Sequence, residues 1–369
     1  MSANSTELER RVFEKINREG PLTFRDFMQA ALYDPELGYY NTRRQKIGAE
    51  GDYYTSCSVH PAFGAVLANA LCEMWASEFV TNSNDLTIIE FGPGNGQLAL
   101  DINSALRNEH PAAFDNLTYV LVETSPVFQK LQQSKLVDFK NRIRWQSLNQ
   151  LANNPIAGVV LSNEFVDALP VHRARFTHDT VQELYVSTDE RKDHGHLVPI
   201  WSHPSTSRLA EYLERLGIAL QEGQIVEVSL DAIDWLERVS HVLETGLLVT
   251  IDYGDRAQDL YTPDRKSGTL RCFHQHDLSD NPFDRVGDQD ITSSVNFTAL
   301  IEYGRQYGFE FLSLERQTSF LIRYGLIERI ALEHKSVEFP ESLAKRLAVK
   351  NLFVPGGLSD SFRVLIQRR

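Results

Sequence analysis

The chain has only three cysteines, Cys57, Cys72 and Cys272, too few and too scattered for a disulfide framework or a zinc-binding spacing. It has no surplus of basic residues either: 37 Lys and Arg stand against 50 Asp and Glu, a net charge of −13. Broad affinity for nucleic-acid phosphates needs clustered cations, so this balance argues against a nucleic-acid partner, while an acidic surface suits solubility or a basic partner. No apolar run is long enough to span a bilayer, so no membrane partner is expected. The opening MSANSTELERRVFEKINREG lacks an apolar signal core and carries acids, unlike a secretory or transit leader. These absences point to a reducing compartment, the cytoplasm; a mitochondrial location would require a processed organellar form. Repeats and low-complexity tracts are absent. What is present is ordinary globular composition, 42% hydrophobic and 24% charged, in a 369-residue chain long enough to bury a large core.

Residues 7–18 read as a charged amphipathic helix, and Thr23 caps a short helix that Asp34-Pro35 and Gly38 stop. Residues 41–58 read as an exposed polar loop, and 60–80 as a long apolar helix entered at Pro61. From residue 86 short apolar runs alternate with helical segments. The runs are LTIIEF (86–91), TYVLVE (118–123), RIRW (142–145), GVVLSN (158–163) and GLLVTIDY (246–253), with helices near 96–108, 125–137 and 230–244. This alternation implies an α/β fold with a mostly parallel, doubly wound, Rossmann-like sheet covered on both faces. FEFLSLE (309–315) and FRVLIQR (362–368) add strands, and 325–334 adds a helix. Two stretches interrupt the pattern: 171–201 reads as short antiparallel strands, and 254–298 is polar and turn-rich without clear periodicity. The expected organisation is a helical N-terminal lid over 1–80 and a core over 81–369, with insertions at about 171–223 and 254–298.

The first strand runs straight into alternating glycines, Gly92, Gly94 and Gly96. Glycine is needed where the backbone takes positive φ or where a ligand must approach without meeting a Cβ. Strand, tight turn and helix together make a cofactor cradle at the carboxyl end of the sheet. The dinucleotide fingerprint G-x-G-x-x-G is not met, because the third glycine comes one place early, and the Gly-Lys-Ser/Thr of a phosphate loop is missing. Glu90, two residues before the first glycine, suits a positive ligand better than a pyrophosphate. The result, E-x-G-x-G-x-G, resembles the first motif of class I S-adenosylmethionine (SAM) methyltransferases. The second strand ends at Glu123, followed by Thr124, where an acid in such folds accepts hydrogen bonds from ribose hydroxyls.

The strand over 158–163 ends in Asn163-Glu164, with Asp167 one short turn later, facing the same crevice. Methyl transfer needs a nucleophile's lone pair held in line with the methyl donor. Carboxylates clamp a planar guanidinium and stabilise charge developing on its nitrogens. The plainer readings are a helix cap for Asp167 and a solvated loop acid for Glu164. His274 and His276 lack a third ligand at a recognisable spacing, so no metal is expected.

Eight segments then occur in one order: GPLTFRDFMQAALYDPELGYYN, GDYYTSCSVHPAFG, IIEFGPGNGQLALDI, YVLVETSP, LSNEFVDALPVHR, IDYG, GTLRCFHQH and GDQDITSSVNFTAL. Together they resemble the MidA family of SAM-dependent methyltransferases, which includes a mitochondrial complex I assembly factor that methylates an arginine. The resemblance covers nearly the whole chain. It implies a class I methyltransferase fold, with SAM (product S-adenosylhomocysteine) held by Glu90, Gly92, Gly94, Gly96, Glu123, Thr124 and Asn163. It implies catalysis by Asn163, Glu164 and Asp167 on a protein arginine, with a respiratory complex I subunit as a candidate substrate, and a homodimer. Tyr53 and Thr55 would belong to a lid over the cofactor. Asp252 and Tyr253 would reach the crevice rim or cap the sheet end. Asp290 and Thr292 would line a substrate channel, and Asn296 would line it or cap the next helix. The segment with Cys57, Ser58 and His60 departs from the family, where many members carry a Pro-Glu pair and a serine, so the substrate need not be shared. The competing readings are a SAM-binding assembly chaperone and a methyltransferase for a small molecule. A nicotinamide dehydrogenase is disfavoured by the glycine spacing.

Overall fold

Apolar runs that alternate with amphipathic helices wind here into one twisted sheet, and the remaining segments build a roof over its carboxyl edge. The structure is a computed structural model and describes residues 3–42, 60–79, 85–178, 180–189, 196–275, 277–336 and 361–369. The chain opens with helix α1 (Ala3–Glu19), the two-residue strand β1 (Leu22–Thr23) and helix α2 (Phe24–Tyr33). The Thr23 side chain accepts from the Asp26 amide and so caps α2. Helix α3 (Ala62–Glu78) follows, then the wound core: β2 (Leu86–Phe91), α4 (Gln97–Glu109), β3 (Leu117–Val122), α5 (Pro126–Lys135), β4 (Ile143–Trp145) and β5 (Ile156–Asn163). The first insertion supplies β6 (His172–Thr177), β7 (Thr180–Asp189), β8 (His196–Ser202) and β9 (Ile225–Val228). The chain returns to the core through α6 (Leu230–Val242) and the long β10 (Leu243–Asp255). The second insertion holds β11 (Arg271–His274), β12 (Asp277–Ser279), β13 (Asp290–Thr292) and β14 (Val295–Asn296), before α7 (Phe297–Gln306), β15 (Glu310–Arg316) and β16 (Phe362–Arg368).

The main sheet runs β15-β16-β10-β5-β2-β3-β4, with β14 added beside β10. Pairs from β10 through β4 are parallel, and β16 lies antiparallel between β10 and β15. Alternate residues of each central strand serve opposite faces. Ile88, Val159, Leu161, Leu247 and Val249 pack on α3 and α4 through Phe63, Leu67, Leu71, Ile102 and Leu106. Ile89, Val160 and Leu248 pack on α6 and α7 through Trp235, Leu236, Val239, Phe297 and Leu300. With both faces covered, the strands read as continuous apolar runs, as parallel strands do. A Cβ on Gly64 of α3 would lie 2.5 Å from Asp101 Cβ, so α3 and α4 touch where only glycine fits.

The helix α3 therefore belongs to the core, and the boundary drawn at residue 80 separates it from the strands it packs against. The true roof is α1 and α2. Their residues Leu8, Val12, Ile16, Phe24, Phe27 and Met28 share a cluster with Leu184, Val186, Leu197, Cys272 and Ile291 of the two insertions. Residues Leu22 and Thr23 pair antiparallel with Val186 and Tyr185, extending the insertion sheet. The bidentate Arg25–Asp231 pair (2.6 and 2.9 Å) ties α2 to α6. The second insertion, read as turns, folds its short strands into a three-stranded antiparallel sheet, β12-β11-β13. No helix among the described residues is long and apolar enough to cross a membrane.

Candidate functional site

In this strand order β3 and β5 flank β2 on opposite sides, so the crevice opens above the carboxyl end of β2. The loop there has φ of +62°, +51° and +78° at Gly92, Gly94 and Gly96, a conformation that side chains resist. A Cβ on Gly92 would also lie 2.7 Å from the Phe165 ring. Gly96 leads directly into α4, whose first amide, that of Gln97, donates to Asn95 Oδ1 (3.0 Å).

Two carboxylates flank this loop. Glu90 is buried, and Tyr119 donates to its Oε2 (2.8 Å). Burial pushes the Glu90 carboxyl up to about 7; the Tyr119 hydroxyl pulls it down and Glu123 pushes it further up. Glu123 follows β3 and is half-buried; burial pushes it to about 7 against hydrogen bonds that pull it down. Its Oε1 accepts from the Ser125 amide (2.8 Å) and its Oε2 from Gln132 Nε2 (3.1 Å). A carboxylate offers about four acceptor sites, and with the Thr124 amide also lowering this carboxyl, capacity remains for a further hydroxyl donor. Thr124 is exposed beside it. Positive-φ glycines, an acid with spare acceptor capacity and a helix N-terminus form a donor and acceptor set that fits an adenosyl sulfonium cofactor.

The other flank is built by the turn after β5. Glu164 takes φ +51°, a strained conformation for a non-glycine residue, and its amide donates to Ile251 O (2.9 Å). The turn is held from below by Asp252, which is fully buried. Its Oδ2 accepts from the amides of Phe165 (3.2 Å), Val166 (2.9 Å) and Asp167 (3.2 Å), and its Oδ1 from Tyr253 (3.0 Å). Burial still pushes Asp252 up to about 7. Asp252 is thus the anchor of the turn, the plainer of its two readings. Asp167 caps no helix. It is buried, and its Oδ1 has no hydrogen-bond partner among the described residues, nor has Asn163 Oδ1. Burial, then the Asp252, Asp290 and Glu164 carboxylates, hold Asp167 well above the ordinary carboxyl range.

The roof closes over this turn. Tyr33 donates to Ala168 O (2.9 Å), and Tyr40 donates to Asp290 Oδ1 (2.8 Å) while its carbonyl accepts from Ser125 Oγ (3.0 Å). Burial raises the Tyr33 hydroxyl far above its usual value, and Asp290, Asp167 and Glu123 add to it, so this ring stands between the two flanks. The Tyr253 hydroxyl is raised in the same way, by burial and then by Asp167.

Asn163, Glu164, Asp167, Asp252, Tyr253 and Asp290 thus gather around the turn after β5; Thr292 is buried two residues beyond Asp290. Asn296 does not join them. Its Oδ1 accepts from the Ala299 amide (3.2 Å), capping α7, and its Nδ2 donates to Tyr212 Oη (3.0 Å). Tyr53 and Thr55 lie outside the described residues, as do Cys57, Ser58 and His276. His60, buried, accepts from the Ala62 amide through Nδ1 (3.1 Å) and so serves the start of α3. His274 Nδ1 bonds Asp288 O (2.8 Å), and the described residues contain no cluster able to hold a metal. Tyr33, Tyr40 and Gln132 were not singled out from the sequence. The signal for the tyrosines was the aromatic LYDPELGYYN segment; for Gln132 it was only an amide on the helix after Glu123.

A family model described as "Putative S-adenosyl-L-methionine-dependent methyltransferase" matches residues 66–314. The chain is 27% identical over 340 residues to "Protein arginine methyltransferase NDUFAF7, mitochondrial" of Danio rerio, covering 86% of this chain and 76% of the relative. It is 26% identical over 329 residues to the Homo sapiens protein of the same description, covering 80% and 68%. A crystal structure of a Burkholderia thailandensis protein bound to S-adenosyl-homocysteine superposes with a TM-score of 0.87 at 27% identity, covering 100% of this chain and 93% of that one.

Proposed function

The chain belongs to the methyltransferase family matched over residues 66–314 and depends on S-adenosyl-L-methionine; from that premise we propose that it methylates a guanidinium nitrogen of a protein arginine. The observation that carries this reading is the crowding of Glu164, Asp167, Asp252 and Asp290 at the acceptor end of the crevice. Crowded carboxylates retain a proton at neutral pH, and a cation entering among them relieves the repulsion and drives that proton off. A planar guanidinium matches the need, and the relatives described as arginine methyltransferases supply the same chemistry.

In this reading the cofactor supplies an electrophilic methyl group when bound. The glycine loop leaves room for it, Glu123 accepts from its ribose hydroxyls, and Glu90 places negative charge beneath it. Thr124 and Asn163 border the site, the Asn163 amide oxygen being buried without a partner among the described residues. Asp167 and Glu164 orient the guanidinium, and Asp167 takes up the proton that the methylated nitrogen sheds. Tyr33, Tyr40, Tyr253, Asp290 and Thr292 wall the acceptor pocket. Residues 3–42 and the two insertions act as one roof, which fixes how a substrate loop enters.

The test has two arms. Calorimetric titration with S-adenosylhomocysteine should show binding by wild type and at least a ~100-fold loss in Gly94→Val, whose side chain enters the cofactor's space. Radiolabelled methyl transfer to arginine-bearing proteins, with a complex I subunit as the first candidate, should vanish in Asp167→Asn. Label appearing on a residue other than arginine would sink the guanidinium reading and leave the cofactor site standing.

A further inference from the structure

Gln132 lies on α5, outside every motif, yet its side chain is fully buried. Its amide nitrogen donates to the Gly94 carbonyl (2.6 Å) and to Glu123 Oε2 (3.1 Å). Its amide oxygen accepts from the Trp145 indole (2.8 Å), which is held at the end of β4. An indole N–H can only donate, so the face turned to Trp145 must be the oxygen, and both N–H groups must point at the cofactor loop and the acid. The orientation is therefore set by residue chemistry. A Cβ on Gly96 would come within 3.2 Å of Gln132 Cγ, so the same side chain also packs under the third glycine.

We propose that Gln132 is a positioning residue for cofactor binding: it locks the glycine loop to the ribose-binding acid, and Trp145 sets its orientation. The proposal rests on the reading of Glu123 as the ribose acceptor. Physically, one amide spans two elements that must keep a fixed separation for a nucleoside to bridge them. Its second effect is electrostatic. The hydrogen bond from Gln132 pulls the Glu123 carboxyl down from the value that burial alone would impose. The other groups facing Glu123 are the Ser125 and Thr124 amides, Glu90 and the Tyr33 hydroxyl. Burial is what raises the Glu123 carboxyl, and among the described residues Gln132 is the side chain that lowers it, beside the Ser125 and Thr124 amides.

The experiment is calorimetric titration of the full chain with S-adenosylhomocysteine at about pH 6.5 and about pH 8.5, on either side of the value of about 7 to which Glu123 is raised. Gln132→Met keeps the packing against Gly96 and removes the amide; it should bind about 10-fold more weakly at the lower pH. The deficit should shrink to about 3-fold at the higher pH, where Glu123 ionises without help. Trp145→Phe leaves the amide but frees its orientation, and should show about a 3-fold loss with the same pH trend. Should Gln132→Met fail to fold, Trp145→Phe carries the test alone. Repeating the pair in a Glu90→Gln background should leave the trend in place, which excludes Glu90 as its source. A deficit equal at both pH values, or none, overturns the proposal while a weakened Glu123→Gln keeps the site reading. Wild-type affinity in Glu123→Gln removes the site reading, and the proposal with it.

Discussion

The two flanks of the crevice hold their carboxylates by different means. On the cofactor flank, Glu90 and Glu123 are raised chiefly by burial, and neutral donors (Tyr119, the Ser125 amide, Gln132) bond to them. On the flank proposed to hold the acceptor, Asp167 is raised by burial and then by three other carboxylates, with an oxygen unpartnered among the described residues. The first flank is a finished scaffold whose parts lie within residues 90–145. The second is assembled from residues 33–40, 163–168, 252 and 290, and its charges oppose one another. A scaffold of neutral donors keeps one shape for one cofactor. A repelling cluster is stabilised by whatever cation enters it, which suits a site that must discriminate by charge.

The comparison breaks most visibly at Asp252. Asp252→Ala leaves the amides of Phe165, Val166, Asp167 and Tyr253 without their acceptor, at about 1 kcal/mol each, so about 4 kcal/mol in all. Urea unfolding should show the loss as a lower midpoint at constant slope. Asp252→Asn should lose less, because one amide oxygen survives as an acceptor. Unchanged stability in the alanine variant would mean that the turn is held by something other than this carboxylate.

Glu90 sharpens the contrast from the other side. Its folded carboxyl stands at about 7 against an ordinary 4.5, so the folded state keeps a proton that the unfolded state has released between those values. Stability from this group is fully present below about 4.5 and is lost as pH rises through about 7. Glu90→Gln retains an acceptor for Tyr119 and removes that loss. The cofactor-free protein should gain up to about 3 kcal/mol at pH near 8 and nothing near pH 4, with weaker S-adenosylhomocysteine binding. Thermal melts at the two pH values check it. A gain that is the same at both would show that charge burial is not the cause.

The cofactor flank was legible because its signals are local. A strand, three glycines and an acid lie within one βαβ unit, and the side-chain period changes audibly from two to three or four residues. Gln132 escaped because its partners Gly94, Glu123 and Trp145 sit on three separate elements, and a glutamine on a helix carries no pattern of its own. The acceptor flank was legible only in part. Asn163, Glu164 and Asp167 follow a strand end, but Tyr33 and Tyr40 arrive through a roof whose docking is decided by tertiary packing. The second insertion looked irregular because its strands are three or four residues long, below the length at which alternation can be read. The helix α3 was misassigned to the lid for a related reason: chain order placed it beside α2, while its ten buried residues place it against the sheet.

The smallest expected effect tests whether the two flanks communicate. Tyr40 belongs to both, since its carbonyl accepts from Ser125 Oγ beside Glu123 and its hydroxyl donates to Asp290. Tyr40→Phe removes the second bond and keeps the first, which is made by the backbone carbonyl. The ring that packs on Tyr33 at 5.3 Å and on Tyr39 at 5.1 Å stays in place. If the flanks are separable, S-adenosylhomocysteine affinity should stay within about 2-fold, while methyl transfer falls about 5-fold, the equivalent of about 1 kcal/mol. The loss should appear mainly in the acceptor's KM, because in the proposed function Asp290 walls the pocket and Asp167 takes the proton. An equal loss in cofactor affinity would mean that the hydroxyl holds the 39–41 turn against Ser125 as well. The roof would then be one mechanical piece across both flanks, and the separation between scaffold and cluster would fail at this residue.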